Sequence, residues 1–226
     1  MIRTKDVFNY DRTLRSQEPI REPLQERSRK NVDRIMVSLE SLLEKKSFDR
    51  ITMAELARES GVGISSIYAR FSDKSALILG MHLRLREGAL QCLDELTDPT
   101  RWKGATVDDI VRRIILNVVR FYRKHRFLIR AALFVDDTAV RERQGSVLRI
   151  AAEKFTLLFI APKAKAANKI GIAVDFSVKM VASVMYAEIM FGSVELTRTP
   201  MPDRRLVARL SSVILALLFE AGVGRT

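Results

Sequence analysis

The sequence predicts an all-α fold, and three observations support this prediction. Apolar residues recur at the three- and four-residue spacing of helices in nearly every stretch, no segment alternates convincingly with the two-residue period of a strand, and no hairpin turn signal occurs. The chain has 226 residues, of which 47% are hydrophobic and 29% charged. This composition is typical of a soluble protein that is long enough for one domain or two small ones.

The helices follow from the apolar pattern in chain order. Residues 1–24 are polar and aperiodic and contain Pro19 and Pro23, which predicts a mobile arm. The helical pattern covers residues 25–45, a short helix from Thr52, and residues 64–71, 74–96, 106–124, 126–135, 140–160, 173–191 and 203–221. We therefore expect a domain of three helices over residues 25–74 and a larger helical domain over residues 75–226.

A helix-turn-helix is predicted over residues 51–71. Thr52 and Glu55 have the spacing of a capping box, in which each side chain satisfies a free amide at a helix start. Gly61 stands where the turn needs a positive φ, and Val62 and Ile67 are expected to fill the space between the two helices. In this motif the start of the second helix enters the DNA major groove. The residues expected to face outward there are Ile64, Ser65, Ser66, Tyr68 and Ala69.

The net charge of +12 favours an acidic partner, but its distribution limits what it says about DNA. Residues 1–97 carry a net +2, and residues 98–226 carry a net +10. The prediction of DNA binding therefore depends on the motif and not on the total charge.

The segment from about Arg27 to Leu79 resembles the DNA-binding domain of TetR-type transcriptional regulators. The matching features are the amphipathic first helix, Phe48, Ile51-Thr52, Ile67-Tyr68, Phe71, and Lys74 with Ala76-Leu77. Gly63, Arg70 and Ser75 differ from the residues that the family usually has there, although glycine is an acceptable helix N-cap. Beyond this segment the chain matches the family in length and helical layout.

The resemblance implies a common set of DNA-binding residues, namely Thr52, Gly63, Ile64, Ser65, Ser66, Tyr68, Ala69, Lys74 and Arg27. Thr52, Tyr68 and Lys74 would contact phosphates, the two serines would approach bases or backbone, and Ile64 would pack on a thymine methyl. Arg27 would reach a minor groove or the DNA backbone, and plain solvated charge is the alternative for it. The family expectation is a repressor bound to double-stranded DNA.

The last two predicted helices are apolar on nearly every side, and a helix that is apolar all round must be buried all round. One face can pack on the chain's own core, and the other needs a second copy, so we predict a homodimer through a four-helix bundle. A central hairpin buried within a monomer is the alternative. A twofold dimer would bind a roughly palindromic operator. The predicted interface residues are Val184, Phe191, Leu210, Val213, Ile214, Leu217 and Leu218.

The resemblance also implies a small-molecule pocket in the larger domain, capped by the long fourth helix. Its predicted residues are large or adaptable apolar groups, namely Leu85, Ala89, Phe121, Tyr122, Phe127, Phe134, Phe155, Phe159, Met180, Tyr186 and Met190. The alternative for each residue is a plain core position. The net positive charge of this domain suggests an anionic or amphipathic effector, with Arg120, Arg126 and Arg130 as its partners.

An enzyme, a metal site and a cofactor are not expected. The chain has one cysteine, Cys92, and two histidines, His82 and His125, without a partner at catalytic or metal-ligand spacing. No glycine-rich phosphate loop occurs. The remaining rival function is an all-helical carrier of hydrophobic ligands that does not bind DNA.

The expected location is the cytoplasm, without a membrane partner. Residues 1–24 lack the apolar run of a signal peptide. The longest nearly unbroken apolar run, residues 213–219, is too short for a bilayer, which needs about 20 residues.

Overall fold

The computed structural model describes residues 26–133, 138–160, 167–191 and 201–224, and the side chains of residues 30–131, 145–160, 167–191 and 201–224. Within these ranges it contains nine α-helices and no strand, which confirms the predicted all-α fold. The helices are α1 (Glu26–Lys45), α2 (Met53–Ser60), α3 (Ile64–Arg70), α4 (Lys74–Thr97), α5 (Val107–Lys124), α6 (Arg126–Leu133), α7 (Thr138–Ile160), α8 (Ala167–Phe191) and α9 (Asp203–Glu220). Short 3-10 turns lie at Phe48–Arg50 and Pro99–Trp102. The predicted arm, residues 1–24, lies outside the described residues.

The helix boundaries agree closely with those predicted from the apolar pattern, except at the start of α8. This helix begins at Ala167 and not at residue 173. Pro162 and the lysines after it suggested a loop, but the first turn of α8 carries Ile170, which is 1% exposed. Because Ile170 packs in the core, the first turn of α8 is held by burial.

The described chain divides into two compact units, one up to Leu83 and one from Arg84 onward. In the first unit, α1 packs on α2 and α2 packs on α3, with Leu39 and Leu56 fully buried. The first turns of α4 also belong to this unit, because Leu77 and Met81 are each 1% exposed. The division therefore lies inside α4, and the boundary at 74/75 stays a prediction.

The second unit has its own apolar core. The helix α9 packs on α5 and on α8, and α7 packs on α8. Ile115, Met185 and Leu218 are among the buried residues that these helices contribute. At the start of α5, Thr106 and Asp109 form a capping box in which each side chain accepts a bond from the other residue's backbone amide.

One described helix, α8, has a length and apolar composition that would also allow it to cross a membrane. Val181 and Met185 are buried in the unit, whereas Ile172 and Phe176 are 63% and 56% exposed. Asp175 also lies on the exposed side. The helix is thus packed against its own chain on one side and presents large apolar groups on the other.

Candidate functional site

The turn between α2 and α3 is fixed by two glycines and a serine. Gly61 ends α2 with φ +61°, the left-handed conformation that glycine adopts without strain. The backbone amide of Val62 donates to the buried Ser60 hydroxyl at 3.3 Å, and Gly63 is the N-cap of α3. The predicted positive φ at Gly61 is confirmed, and the direction in which α3 leaves the turn is set by the backbone.

One edge of α3 faces solvent while the other closes the core. Ile67 is 0% exposed and Val62 is 4% exposed, so both fill the space between the helices as predicted. Ile64 and Tyr68 are 44% and 48% exposed although both are large and partly apolar. All the residues predicted to face outward are exposed in the structure, namely Ile64, Ser65, Ser66, Tyr68 and Ala69. We call these five residues the outer edge of α3.

The start of α2 is capped differently from the predicted capping box. The Thr52 hydroxyl accepts a hydrogen bond from the Glu55 amide at 3.1 Å, as predicted. The Glu55 carboxylate, however, is hydrogen-bonded to the Lys46 ammonium, which holds the pKa of Glu55 below its ordinary value. The reciprocal half of the predicted capping box is therefore wrong, because Lys46, the residue after α1, offers Glu55 a charged partner.

Lys74 lies at the first position of α4 and binds the chain's own backbone. Its ammonium donates to the carbonyl oxygens of Phe48 and Asp49, both at 3.0 Å, and lies 4.8 Å from the centre of the Phe48 ring. An ammonium has three N–H donors, so one remains for another acceptor. Asp73 caps the same helix by accepting from the Ala76 amide at 2.8 Å, a role that the prediction missed.

The remaining predicted DNA-binding residue is Arg27, whose side chain lies outside the described side chains. Thr52 and Gly63 are exposed, and Lys74 is half-buried. The first unit thus brings Thr52, the outer edge of α3 and Lys74 into one compact body.

The predicted pocket residues share an intermediate exposure. Phe155 is buried, Phe134 lies outside the described residues, and the others are neither buried nor fully exposed, namely Leu85, Ala89, Phe121, Tyr122, Phe127, Phe159, Met180, Tyr186 and Met190. Intermediate exposure is ordinary for apolar residues, so the pocket stays a prediction.

Aromatic rings connect α5 with α8 in this set. The Tyr122 and Tyr186 rings meet edge to face with their centres 5.8 Å apart, and their hydroxyls are hydrogen-bonded. Burial raises the pKa of both phenols, so both stay protonated at neutral pH. Phe121 stacks against His125 with ring centres 4.7 Å apart.

The arginines that suggested an anionic effector are all exposed: Arg120, Arg126 and Arg130. The Arg126 guanidinium lies 4.3 Å from the centre of the Phe127 ring and donates to the Arg123 carbonyl oxygen at 3.0 Å. These three cations therefore belong to a solvated face of α5 and α6, and they give no support to an anionic effector.

The predicted dimer interface needs a correction at three positions. Leu210, Ile214 and Leu218 are 6%, 7% and 0% exposed and pack in the core of their own chain, so they offer a partner no surface. Val184 and Leu217 are half-buried, and Val213 and Phe191 are exposed. The prediction erred because a helix that is apolar all round gives no signal for which face points inward.

An ion-pair cluster joins three helices of the second unit, and the sequence did not indicate it. The Arg123 guanidinium, at the end of α5, lies 2.8 Å from the Glu188 carboxylate on α8 and 2.9 Å from the Asp203 carboxylate on α9. These partners are 65 and 80 residues away in the sequence, which is why no local pattern reveals them. Among the described residues, no group of three or more His, Cys, Asp or Glu side chains could hold a metal ion.

Residues 35–81 match the family model described as bacterial regulatory proteins of the tetR family. The sequence has no match among curated proteins. Most of the chain is similar in fold to solved structures of that family. The TetR family repressor AlkX from Dietzia sp. strain DQ12-45-1b has a TM-score of 0.51 at 19% identity, over 83% of this chain and 97% of that one.

Two further structures cover the same layout. The fatty acid degradation regulator FadR from Bacillus halodurans has a TM-score of 0.59 at 16% identity, over 90% of this chain and 99% of that one. A tetR-family regulator from Streptomyces coelicolor has a TM-score of 0.60 at 16% identity, over 85% of this chain and 82% of that one. The family model covers the turn and the outer edge of α3, and the relatives share the fold of both units. Residues 35–81 are therefore a TetR-type DNA-binding domain by the family model, and the chain has the fold of solved TetR-family structures.

Proposed function

We propose that the protein is an effector-responsive repressor that binds a palindromic operator as a homodimer and is released when a small apolar molecule binds its second unit. The observation that carries this proposal is the outer edge of α3. Its large side chains, Ile64 and Tyr68, stay about half exposed on a unit whose core is otherwise closed. Val37 on α1 is 58% exposed as well, so exposure alone is ordinary. What distinguishes Ile64 and Tyr68 is that they lie one turn apart on the edge of the helix that, in a helix-turn-helix, enters a DNA groove and is covered by it.

The DNA contacts follow from the chemistry at each position. The outer edge of α3 enters the major groove, where its hydroxyl and apolar groups meet base edges. The Thr52 hydroxyl oxygen accepts a hydrogen bond from the Glu55 amide, so the hydroxyl hydrogen can still be donated to a phosphate. The Tyr68 hydroxyl and the third N–H of Lys74 bind flanking phosphates. These phosphate contacts position the protein, and the base contacts select the sequence.

The homodimer is supported by the apolar groups that α8 and α9 leave uncovered. Ile172, Phe176 and Phe191 on α8, and Val213 and Phe219 on α9, are 40% to 63% exposed. Fully burying one such side chain contributes about 1.5–3 kcal/mol, and about half of that remains for side chains that are already half covered. The ten side chains of two copies would contribute about 7–15 kcal/mol, which is comparable to the cost of pairing two chains. The proposed interface therefore replaces Leu210, Ile214 and Leu218 with residues that already face outward.

The effector is expected to be neutral and largely apolar. The predicted pocket residues are apolar or phenolic, and the nearby Arg123 is already paired with Glu188 and Asp203. AlkX is implicated in the biodegradation of n-alkanes, which agrees with an apolar effector for a protein of the same fold. The unbroken helix α4 runs from Lys74 to Thr97 and carries Leu85 and Ala89 of the predicted pocket. A ligand that displaces α4 would change the distance between the two α3 helices of the dimer. The expected coupling free energy between ligand binding and DNA binding is about 1–3 kcal/mol.

Selection of bound sequences from random DNA by the purified protein tests the proposal. We expect a palindrome whose affinity falls steeply with salt, because phosphate contacts release counterions. Tyr68→Ala and Lys74→Ala should weaken all sequences, whereas Ile64→Ala and Ser65→Ala should change the preferred bases. Lys103→Ala is the matched control, because Lys103 is an exposed lysine of the second unit. Equal DNA affinity of the wild type and the Tyr68→Ala/Lys74→Ala variant would favour the ligand carrier instead.

A further inference from the structure

The outer edge of α3 has an unusual set of side chains at its centre. Successive residues of a helix are about 100° apart around the axis. The fully buried Ile67 marks the inward direction, so Ser65 and Ala69 lie on the opposite side and point straight outward. Ile64 and Tyr68 flank them on one side. The residues that lead into a groove are therefore small, which lets the α3 backbone approach the bases closely.

The chemistry of this edge limits how it can read a sequence. Guanine is read mainly by Arg or Lys and adenine by Asn or Gln, in bidentate pairs. The outer edge has none of these residue types, and Arg70, the next residue of α3, is half-buried on the other flank. The remaining groups are methyls and hydroxyls. A hydroxyl bonds to several bases, but a methyl has one apolar counterpart in the major groove, the C5-methyl of thymine.

We infer that the protein selects its operator half-site through thymine C5-methyl groups that pack against Ile64 and Ala69. This inference rests on the proposed role of α3 in the major groove. Ile64 is 44% exposed in the free protein, so a thymine methyl finds uncovered apolar surface there. Ala69 is exposed and lies on the side of α3 opposite the buried Ile67, so its methyl would face the groove in the proposed complex. The two serines add hydrogen bonds to bases, but a hydroxyl both donates and accepts, so it discriminates between base pairs less sharply than a methyl does.

The test uses the full-length protein and the operator duplex obtained by selection. Each thymine is replaced in turn, in both half-sites, by deoxyuridine, which keeps base pairing and removes only the methyl. We expect one or two positions per half-site at which the loss of one methyl weakens binding about 4-fold, the factor that corresponds to one buried CH₂ group. Replacing the same thymine by cytosine should weaken binding, and 5-methylcytosine should recover part of that loss.

Variants assign each methyl to its side chain. Ile64→Ala should abolish the deoxyuridine effect at one position, and Ala69→Gly should abolish it at another. Val37→Ala is the control, because it removes methyls from a side chain that is 58% exposed on α1, and it should leave the deoxyuridine effects unchanged. Fluorescence anisotropy of labelled duplexes gives the affinities, and circular dichroism checks that each variant folds.

The outcomes separate this inference from the proposed function. A palindromic operator that tolerates deoxyuridine at every position would overturn the inference and leave DNA binding intact, and readout through DNA shape would then replace it. Deoxyuridine effects that persist in both Ile64→Ala and Ala69→Gly would overturn it as well. Failure to select any sequence would overturn the proposed function and this inference together.

Discussion

Gly80 offers a quantitative test of how α4 packs on the first unit. A Cβ at this position would lie 2.7 Å from Phe71 Cε1 and 3.2 Å from Met36 Cε. Phe71 and Met36 are 1% and 3% exposed, so any movement of either side chain must be accommodated inside the core. The substitution Gly80→Ala therefore inserts a methyl group into a filled core.

Two opposing effects set the magnitude. Adding a methyl to a packed core costs about 1–3 kcal/mol. Alanine in a helix interior is more favourable than glycine by about 1 kcal/mol. Gly80→Ala should thus lower the free energy of unfolding by about 0–2 kcal/mol. Gly145 on α7 is the matched control, because a Cβ there meets nothing within 4 Å. Gly145→Ala should stabilise the protein by about 0.5–1 kcal/mol.

Urea denaturation of both variants, followed by circular dichroism and calorimetry, measures the difference. The two units need not unfold together, so each transition is fitted separately. In a Phe71→Leu background, Gly80→Ala should be less destabilising than in the wild type, because the smaller leucine leaves room for the added methyl. If Gly80→Ala stabilised the protein as much as Gly145→Ala does, the close contact between α4 and Phe71 would be refuted.

Three further predictions concern assembly, DNA affinity and pH. Phe176→Glu should yield a folded monomer by light scattering, because it places a charge in the proposed interface. The control Val37→Glu on α1 should stay dimeric. A dimeric Phe176→Glu variant would contradict the proposed interface. Thr52→Ala should cost about 1 kcal/mol of stability, measured by urea titration, because the helix cap is lost, and it should weaken binding to every DNA sequence, measured by anisotropy. Thr52→Ser retains the hydroxyl and should keep both the stability and the DNA affinity. The Ala76 amide lowers the pKa of Asp73, so Asp73 stabilises the fold above its unfolded pKa, and that stability is lost as the pH falls through the folded value. Asp73→Asn should flatten the decline of the urea midpoint between about pH 5 and pH 2, and an unchanged slope would rule out this role.

The fold and the exposure of the outer edge were predictable because both depend on local sequence. The spacing of apolar residues gives the helices, and Gly61 together with the buried Val62 and Ile67 gives the turn and the orientation of α3. Ile67 is the buried residue of α3, so the residues on the opposite side of this helix face outward.

Other features depend on contacts that the sequence does not display. Glu55 pairs with Lys46, the residue after α1, and Arg123 on α5 pairs with residues three and four helices away, so neither pairing follows from local spacing. The inward face of α9 was mistaken for the dimer face because both of its sides are apolar. Leu218, which is fully buried, illustrates the error.

The hydrogen bonds from Lys74 to the carbonyl oxygens of Phe48 and Asp49 limit how the start of α4 can move relative to the rest of the first unit. The start of α4 is a poor place for a hinge. The hydrogen bonds of the Lys74 ammonium and the burial of Leu77 and Met81 hold this end of the helix to the first unit. If the proposed effector response bends α4, we expect the bend to fall beyond Met81, because the residues from Lys74 to Met81 belong to the first unit.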